Sequence, residues 1–439
     1  MTFNQTMDYL ESLQGLGSKL GLETVRELCK RLNNPQDHLS VIHVAGTNGK
    51  GSVIAFMDSI LRAGKYCVGK YISPTIRDYR ERIQINERMI SKRELCHYVD
   101  QIKVICNQMV EDGYSHPTSF EFETAMAFLY FCEKKVDIVL LETGMGGRLD
   151  ATNVLENPLL SVITPISMDH MEFLGNSLEA IAREKAGIVK RGAAVLSAVQ
   201  SEQVRGVLQS VAIANENDYI EVLPQNIKIM KQSVDKQIFI YKKYKKMTIQ
   251  MAGTHQIYNA ALAIEAIEAI QGRLLWNQTL IQIDHQVVQT GLEQAHWSGR
   301  LSILAKSPLI ICDGAHNLEG AKVLANTIRE QFEGRRKIWI MGVLKDKDYV
   351  GMLQEIEGIT DELITLKPPG TSRALESYEL AKEAMKMHRC VSCADSVEEA
   401  FELALLLADK ESVIVAFGSL YYLGKLMDCN DKRINTRRK

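Results

Sequence analysis

A lysine framed by glycines, in His43-Val44-Ala45-Gly46-Thr47-Asn48-Gly49-Lys50-Gly51-Ser52-Val53, is the stretch of this chain best suited to chemistry. A glycine-rich turn lets backbone N–H groups approach an anion, and a helix that begins there adds the positive end of its dipole. Lys50 contributes a compact positive charge for terminal phosphates, so a nucleoside triphosphate is the expected ligand. The spacing departs from the familiar phosphate loop, which has a glycine where Val44 stands and a hydroxyl where Gly51 stands. Ser52 brings its hydroxyl one residue late, while Gly46 and Gly49 still bracket a tight turn.

Other candidates lie at the ends of apolar runs. Glu142 closes "VDIVLLE", His170 ends "ITPISMDH" with Asp169 beside it and able to share its work, and Ser73 comes just after "YCVGKYI". Open parallel sheets collect ligands beyond the carboxyl ends of their strands, so these groups are expected to converge on the crevice holding the glycine loop. By residue type alone, a strand-end glutamate also serves as a turn cap and a single histidine as a structural residue. Lys185, in the helical "EAIAREKAGIVK", reads as a solvated lysine. Arg300 in "WSGR" sits where two halves of the chain meet, and a guanidinium fork matches phosphate oxygens. Asp313 ends the buried run in "IICDGAHN", suited to a ligand contact or to a helix cap, and His316 starts the following helix. Cys390 and Cys393 form a lone CxxC without a second pair of ligands, which points to ordinary packed thiols.

Stepping outward, 439 residues exceed what one hydrophobic core usually serves, so two domains are expected, at 1–296 and 297–439. A net charge of −2 gives no footprint for nucleic acid, and no apolar run is long enough for a membrane span. Nine cysteines without framework spacing suit reduced thiols and a cytoplasmic location. Two helices are expected in the first forty residues, with Leu20, Val25, Leu28 and Leu32 as the stripe of the second. Apolar strands then alternate with helices, including one over 255–270 and one over 277–289, which gives a parallel sheet covered on both faces. Alternating polar and apolar residues at about 218–253 mark a small antiparallel appendage. From Leu301 four or five further strands with helices suggest a smaller Rossmann-like α/β domain. The fold class is therefore α/β, with a phosphate-loop domain, an appendage and a second, smaller domain.

The stretch "GTNGKGS" resembles the loop of the Mur ligase superfamily, in particular that of folylpolyglutamate and dihydrofolate synthases. The resemblance continues in order through "SPTIRDYRERI", "LETGMGGRLDATN", "SMDHMEFLG", "IAREKAGI", "GTHQIYNAALA", "WSGR", "DGAHN", "MGVLKDKD" and "FGSLYYLG", nearly the whole chain. It implies ATP held by Thr47, Asn48, Gly49, Lys50, Gly51, Ser52, Asn259, Arg300 and Asp313. It implies Mg2+ on Ser73, Glu142 and His170, with a monovalent cation such as K+ as an addition. It makes Lys185 a lysine carbamylated on its amine, and His316 a residue of the ATP and acyl-phosphate region, both acting with Arg300 in catalysis. Arg77, Arg80 and Arg82 lie in a loop expected near the pterin, available to glutamyl carboxylates. Two departures stand out: Thr75 replaces a histidine frequent in the family and Ser298 a proline.

The implied activity is ATP-dependent joining of L-glutamate to folate or dihydropteroate through an acyl phosphate, by a cytoplasmic monomer whose domains close on its substrates. A cell-wall Mur ligase is the nearest rival; only about forty residues precede the loop, which leaves little for a uridine-nucleotide domain. A non-ligating ATPase is the rival of another class, and "GMGGRLD" is only a partial dinucleotide fingerprint.

Overall fold

The computed structural model describes residues 1–15, 17 and 21–437; Leu20 of the expected stripe lies outside the described residues. Helices Phe3–Gln14 and Glu23–Arg31 open the chain, and Val25 and Leu28 of the second are fully buried. Eight strands then form one sheet: β1 (Val41–Ala45), β2 (Val68–Tyr71), β3 (Ile83–Ile85), β4 (Arg88–Met89), β5 (Ile138–Glu142), β6 (Leu160–Ile163), β7 (Ala194–Ser197) and β8 (Tyr219–Glu221). Their order is β4-β3-β2-β5-β1-β6-β7-β8. All pairings are parallel except those of the β2-β3-β4 meander.

The central strands are buried on both faces, which is why they read as continuous apolar runs. Along β1, Ile42 and Val44 pack with helices Lys50–Ala63 and Thr254–Ile270. Val41 packs on the other side with helices Lys92–Glu111 and Ser119–Glu133. The last two open with the Ser/Thr-x-x-Glu signature: Ser91 with Glu94 and Thr118 with Glu121 form reciprocal capping boxes.

A separate antiparallel sheet contains β9 (Ile227–Lys231), β10 (Gln237–Tyr241) and β11 (Tyr244–Ile249). Phe239 and Tyr241 alternate inward along β10 and join the core beneath the phosphate-loop helix. Tyr219–Glu221, inside the stretch expected to be antiparallel, instead extends the large sheet in parallel beside β7. The helix expected over 277–289 runs from His285 to Gln294, because Asp284 caps it by accepting from Val287 N at 2.8 Å.

The third sheet has six strands where four or five were expected: β12 (Ser302–Lys306), β13 (Leu309–Cys312), β14 (Lys337–Met341), β15 (Glu362–Leu366), β16 (Val391–Ala394) and β17 (Val413–Phe417). The extra strand arises because "LSILAKSPLIIC" folds back on itself as an antiparallel hairpin. The order is β12-β13-β17-β14-β15-β16, parallel from β13 onward, with apolar clusters on both faces.

The two large sheets also touch through the loop after β2, beside Gly299 and Gly314. Ile76, from the loop after β2, packs into the core of the carboxyl-terminal sheet beside Leu420. Its backbone lies so close to Gly424 that a Cβ there would stand 2.1 Å from the Ile76 carbonyl oxygen. Arg77 pairs with Asp431 at 2.9 Å on the terminal helix Leu420–Arg437.

Helix His285–Gln294 crosses the phosphate-loop helix at Gly291, where an added Cβ would lie 2.4 Å from the Ile60 Cα. Backbone against backbone cannot yield cheaply. Gly291→Ala is therefore expected to lower the thermal midpoint by the equivalent of about 1–3 kcal/mol, despite alanine's better helix propensity. A midpoint unchanged or raised in differential scanning calorimetry would contradict the crossing.

Candidate functional site

The site begins where β1 stops. Gly46 has φ 147° and faces Thr164, whose Oγ1 would lie 1.9 Å from any Cβ placed there. Gly49, with φ 91°, turns the chain into helix Lys50–Ala63, which has no side-chain cap. Its first N–H groups therefore remain available to an anion. Thr47 and Asn48 N–H both donate to the Pro165 carbonyl, and Thr47 Oγ1 bonds Ser167, so the end of β6 fixes the turn. Ser52 Oγ accepts from Gln256 Nε2 at 3.2 Å, and Asn259 Nδ2 donates to the same glutamine's Oε1 at 3.0 Å. Gly51 lies under Trp297, whose ring would be 2.7 Å from a Cβ.

Two lysines converge on one carbonyl. Lys50 Nζ donates to Gly46 O at 3.1 Å and Lys185 Nζ to the same oxygen at 2.8 Å. Lys185 is 4 % exposed, so the solvated position expected from its helix does not hold; the turn of that helix toward the loop buries it. Burial, assisted by the charge of Lys50, lowers its pKa to about 7.

Glu142 ends β5 beside Val44 in register and is 5 % exposed. One carboxylate oxygen accepts from the Ser73 backbone N–H at 3.3 Å, and the other stands 4.0 Å from Lys50 Nζ. Burial raises its pKa, and Lys50 opposes the rise. His170 adopts a left-handed φ of 49°, with Nε2 3.9 Å from Asp169 Oδ2. Burial lowers its pKa to about 4, so the ring is neutral at neutral pH, as a metal-binding imidazole must be. Ser73 and Glu142 are thus brought together, whereas the contact given to His170 is with Asp169. Among the described residues no three His, Cys, Asp or Glu side chains gather as a ligand set.

The other wall comes from the third sheet. Asp313 follows β13 and stitches its turn, accepting from Leu301 N and Ala315 N at 2.8 Å each. Helix Leu318–Gln331 is capped not by Asp313 but by Asn317, which accepts from Gly320 N at 2.9 Å. His316 lies just ahead of that helix; its Nδ1–H donates to the Gly314 carbonyl at 2.8 Å, and its Nε2 stands 3.9 Å from Asp169 Oδ2. Arg300 Nη1 donates to Gly299 O at 3.3 Å and packs over Gly314. A cavity of about 670 Å³ runs between the walls, lined by Asn48, Gly49, Ser52, Asn259, Arg300, Asp313 and His316 among others.

Several participants carried no sequence signal of their own, Gln256, Trp297, Asn317 and Lys347, although they stand inside "GTHQIYNAALA", "WSGR", "DGAHN" and "MGVLKDKD". The three loop arginines are not free for carboxylates of a ligand. Arg77 pairs with Asp431, Arg80 with Asp78 at 2.6 Å and Arg82 with the buried Glu123 at 3.0 Å.

Two family models match in succession: the Mur ligase middle domain over residues 44–267 and the Mur ligase glutamate ligase domain over residues 299–420. The dihydrofolate synthase/folylpolyglutamate synthase of Bacillus subtilis is 35% identical over 418 residues, covering 93% of this chain and 95% of that protein. The folylpolyglutamate synthase of Lacticaseibacillus casei is 30% identical over 96% of this chain and 97% of its own length. Among solved structures, Mycobacterium tuberculosis folylpolyglutamate synthase complexed with ADP superposes with a TM-score of 0.86 at 29% identity, covering 98% of both chains. Escherichia coli FolC in complex with DHPP and ADP gives 0.84 at 27% identity, over 99% of this chain and 98% of that one.

The buried lysine makes stability depend on pH. Below about 7 both folded and unfolded states hold the Lys185 proton, and the fold bears the full cost of the buried cation. Between 7 and the ordinary 10.5 the unfolded chain binds more protons, so this contribution to stability rises with pH. Lys185→Met should thus raise the urea midpoint most at about pH 6 and progressively less towards about pH 10. A gain equal at both pH values would contradict this.

Proposed function

Because the chain belongs to the Mur ligase family, in its folylpolyglutamate and dihydrofolate synthase branch, we propose that it is an ATP-dependent ligase joining L-glutamate to folate, dihydropteroate or both. The observation that carries this reading is the convergence of Lys50 and Lys185 on the Gly46 carbonyl, opposite a second wall bearing Arg300, Asp313 and His316.

A carboxylate is a poor electrophile. One of its oxygens attacks the γ-phosphorus of ATP, the bond to the bridging oxygen breaks, and ADP departs to leave an acyl phosphate. The glutamate amine, having lost a proton, then attacks the acyl carbon and expels inorganic phosphate. Lys50 and the N–H groups of residues 49–52 hold the phosphates, those of Thr47 and Asn48 being spent on Pro165. Arg300 sits to stabilise charge on the transferring group, and Asp313 and Asn259 contact the nucleotide. His316, neutral and facing the crevice, borders the acyl phosphate. Closing the two walls excludes water that would hydrolyse the intermediate.

Glu142, His170 and Ser73 would hold Mg2+. A buried carboxylate opposed by a lysine and a hydroxyl are hard oxygen donors, the neutral imidazole a borderline one, and three such groups are few enough to leave room for waters and phosphate oxygens. When bound, the ion neutralises phosphate charge. Lys185, with a pKa of about 7, presents a substantial fraction of free amine; its nitrogen attacks CO2 and releases a proton, giving a carbamate anion where a cation stood.

Residues 1–296 form the ATP-binding half and residues 297–439 the glutamate-ligase half, with "WSGR" as junction; the interval between the two family matches falls at this point. One chain supplies both halves of the site, so a monomer suffices. All nine cysteines are free, in keeping with a reducing cytoplasm.

Phosphate release from ATP should require glutamate together with dihydropteroate or a reduced folate, and a cell-wall precursor should not replace them. ATP turnover indifferent to all three would leave a plain ATPase. Lys185→Ala should lose turnover and regain part of it with small carboxylates; full activity in that variant would discard the carbamate. Glu142→Gln should raise the Mg2+ needed for half-maximal rate by about 10–100-fold, and an unchanged requirement would remove Glu142 from the metal site.

A further inference from the structure

Asp169 stands in the turn between β6 and the short helix Met171–Leu174, its side chain 8 % exposed. Lys347, in the turn after β14 and 6 % exposed, donates to Oδ1 at 2.6 Å. Asn317 Nδ2 donates to Oδ2 at 3.3 Å. His316 Nε2 and His170 Nε2 each lie 3.9 Å from that same oxygen. Lys347, Asn317 and His316 all belong to the carboxyl-terminal half. Asn317 also exchanges two hydrogen bonds with Asn48 of the phosphate loop, at 3.2 and 3.3 Å.

A buried ion pair stabilises only when its remaining hydrogen-bonding capacity is met, and here both carboxylate oxygens have donors from across the cleft. Residue type alone left open whether Asp169 shares a metal with its neighbour His170. The geometry directs it elsewhere. We propose that Asp169 and Lys347 are positioning residues, an ion pair across the cleft that seats the His316–Asn317 turn on the phosphate loop, and that Asp169 is not a metal ligand. The role rests on the cleft being the ligase site described above. Without the pair, the amino-terminal half keeps its phosphate loop and binds ATP, but His316 and Arg300 are no longer held over the transferring group.

The test uses the full-length variants Asp169→Asn, Lys347→Met and their combination. The readouts are glutamate-dependent phosphate release, affinity for a non-hydrolysable ATP analogue, and the Mg2+ concentration giving half-maximal rate. Each single change should lower kcat by about tenfold to a hundredfold, with the Mg2+ requirement within about threefold of the parent and the analogue affinity reduced by less than kcat, because Asp313 loosens from the nucleotide while Lys50 and the phosphate loop stay. The double variant should be no slower than the slower single one, because both remove one interaction. The proposal is overturned if Asp169→Asn alone raises the Mg2+ requirement about tenfold or more and recovers in high Mg2+. Multiplying losses in the double variant overturn it too. A parent enzyme inactive with every folate would sink the ligase reading alone. The pair is then judged by small-angle scattering with the ATP analogue and Mg2+, where both single variants should be more extended than the parent; equal radii of gyration would reject it.

Discussion

The carbonyl oxygen of Gly46 accepts from two lysine ammonium groups, Lys50 and Lys185, and most of the site follows from that shared acceptor. Two like charges held near one another in a largely dry crevice repel, and the burial of Lys185 adds a desolvation cost. Asp169 and Asp150 oppose the fall in the Lys185 pKa without cancelling it. Glu142 is 4.0 Å from Lys50, and its own burial works against ionisation. The balance at the two lysines still favours an added anion, which a triphosphate tail or a carbamate would provide. Gly46 can serve both lysines only because it lacks a side chain; Thr164 occupies the space where one would go.

The second constraint is that the groups proposed for phosphoryl transfer lie on different sheets. The phosphate loop and Glu142 end β1 and β5, while Arg300, Asp313 and His316 surround the start of the third sheet. Each sheet has its own apolar core, so the halves are bound through a few contacts rather than one continuous interior. Near the crevice these are polar: the Asn48–Asn317 exchange and the donors around Asp169. Beside Gly299 the contact is apolar, Ile76 seated among carboxyl-terminal residues, with Arg77 paired to Asp431. Contacts so few in number suit halves that could separate and return.

Local pattern served the sequence reading well wherever burial is dictated by neighbours in the chain. β1, β5 and β6 are apolar apart from His43, Glu142 and Ser161 because both faces are covered, and helix 254–270 carries an apolar run matched by its near-complete burial. It served less well where one residue decides the outcome. Asp284 postponed a helix start by eight residues from 277 to 285. The hairpin at 302–312 hid two strands in one apolar stretch, and Tyr219–Glu221 joined the large sheet although its surroundings alternate like an antiparallel pair.

Residue types and order along the chain determined that a glycine-bounded lysine follows a buried strand, that acids and histidines stand at strand ends, and that two α/β halves succeed one another. These depend on local sterics, backbone hydrogen bonding and hydrophobic periodicity. Only the tertiary structure decided which charged groups meet. It drew Lys185 out of solvent to Gly46, matched Arg82 with Glu123 and Arg77 with Asp431, and turned Asp169 toward Lys347, 178 residues away. An ion pair depends on distance and burial, and neither is encoded in the spacing of residues that lie on separate sheets.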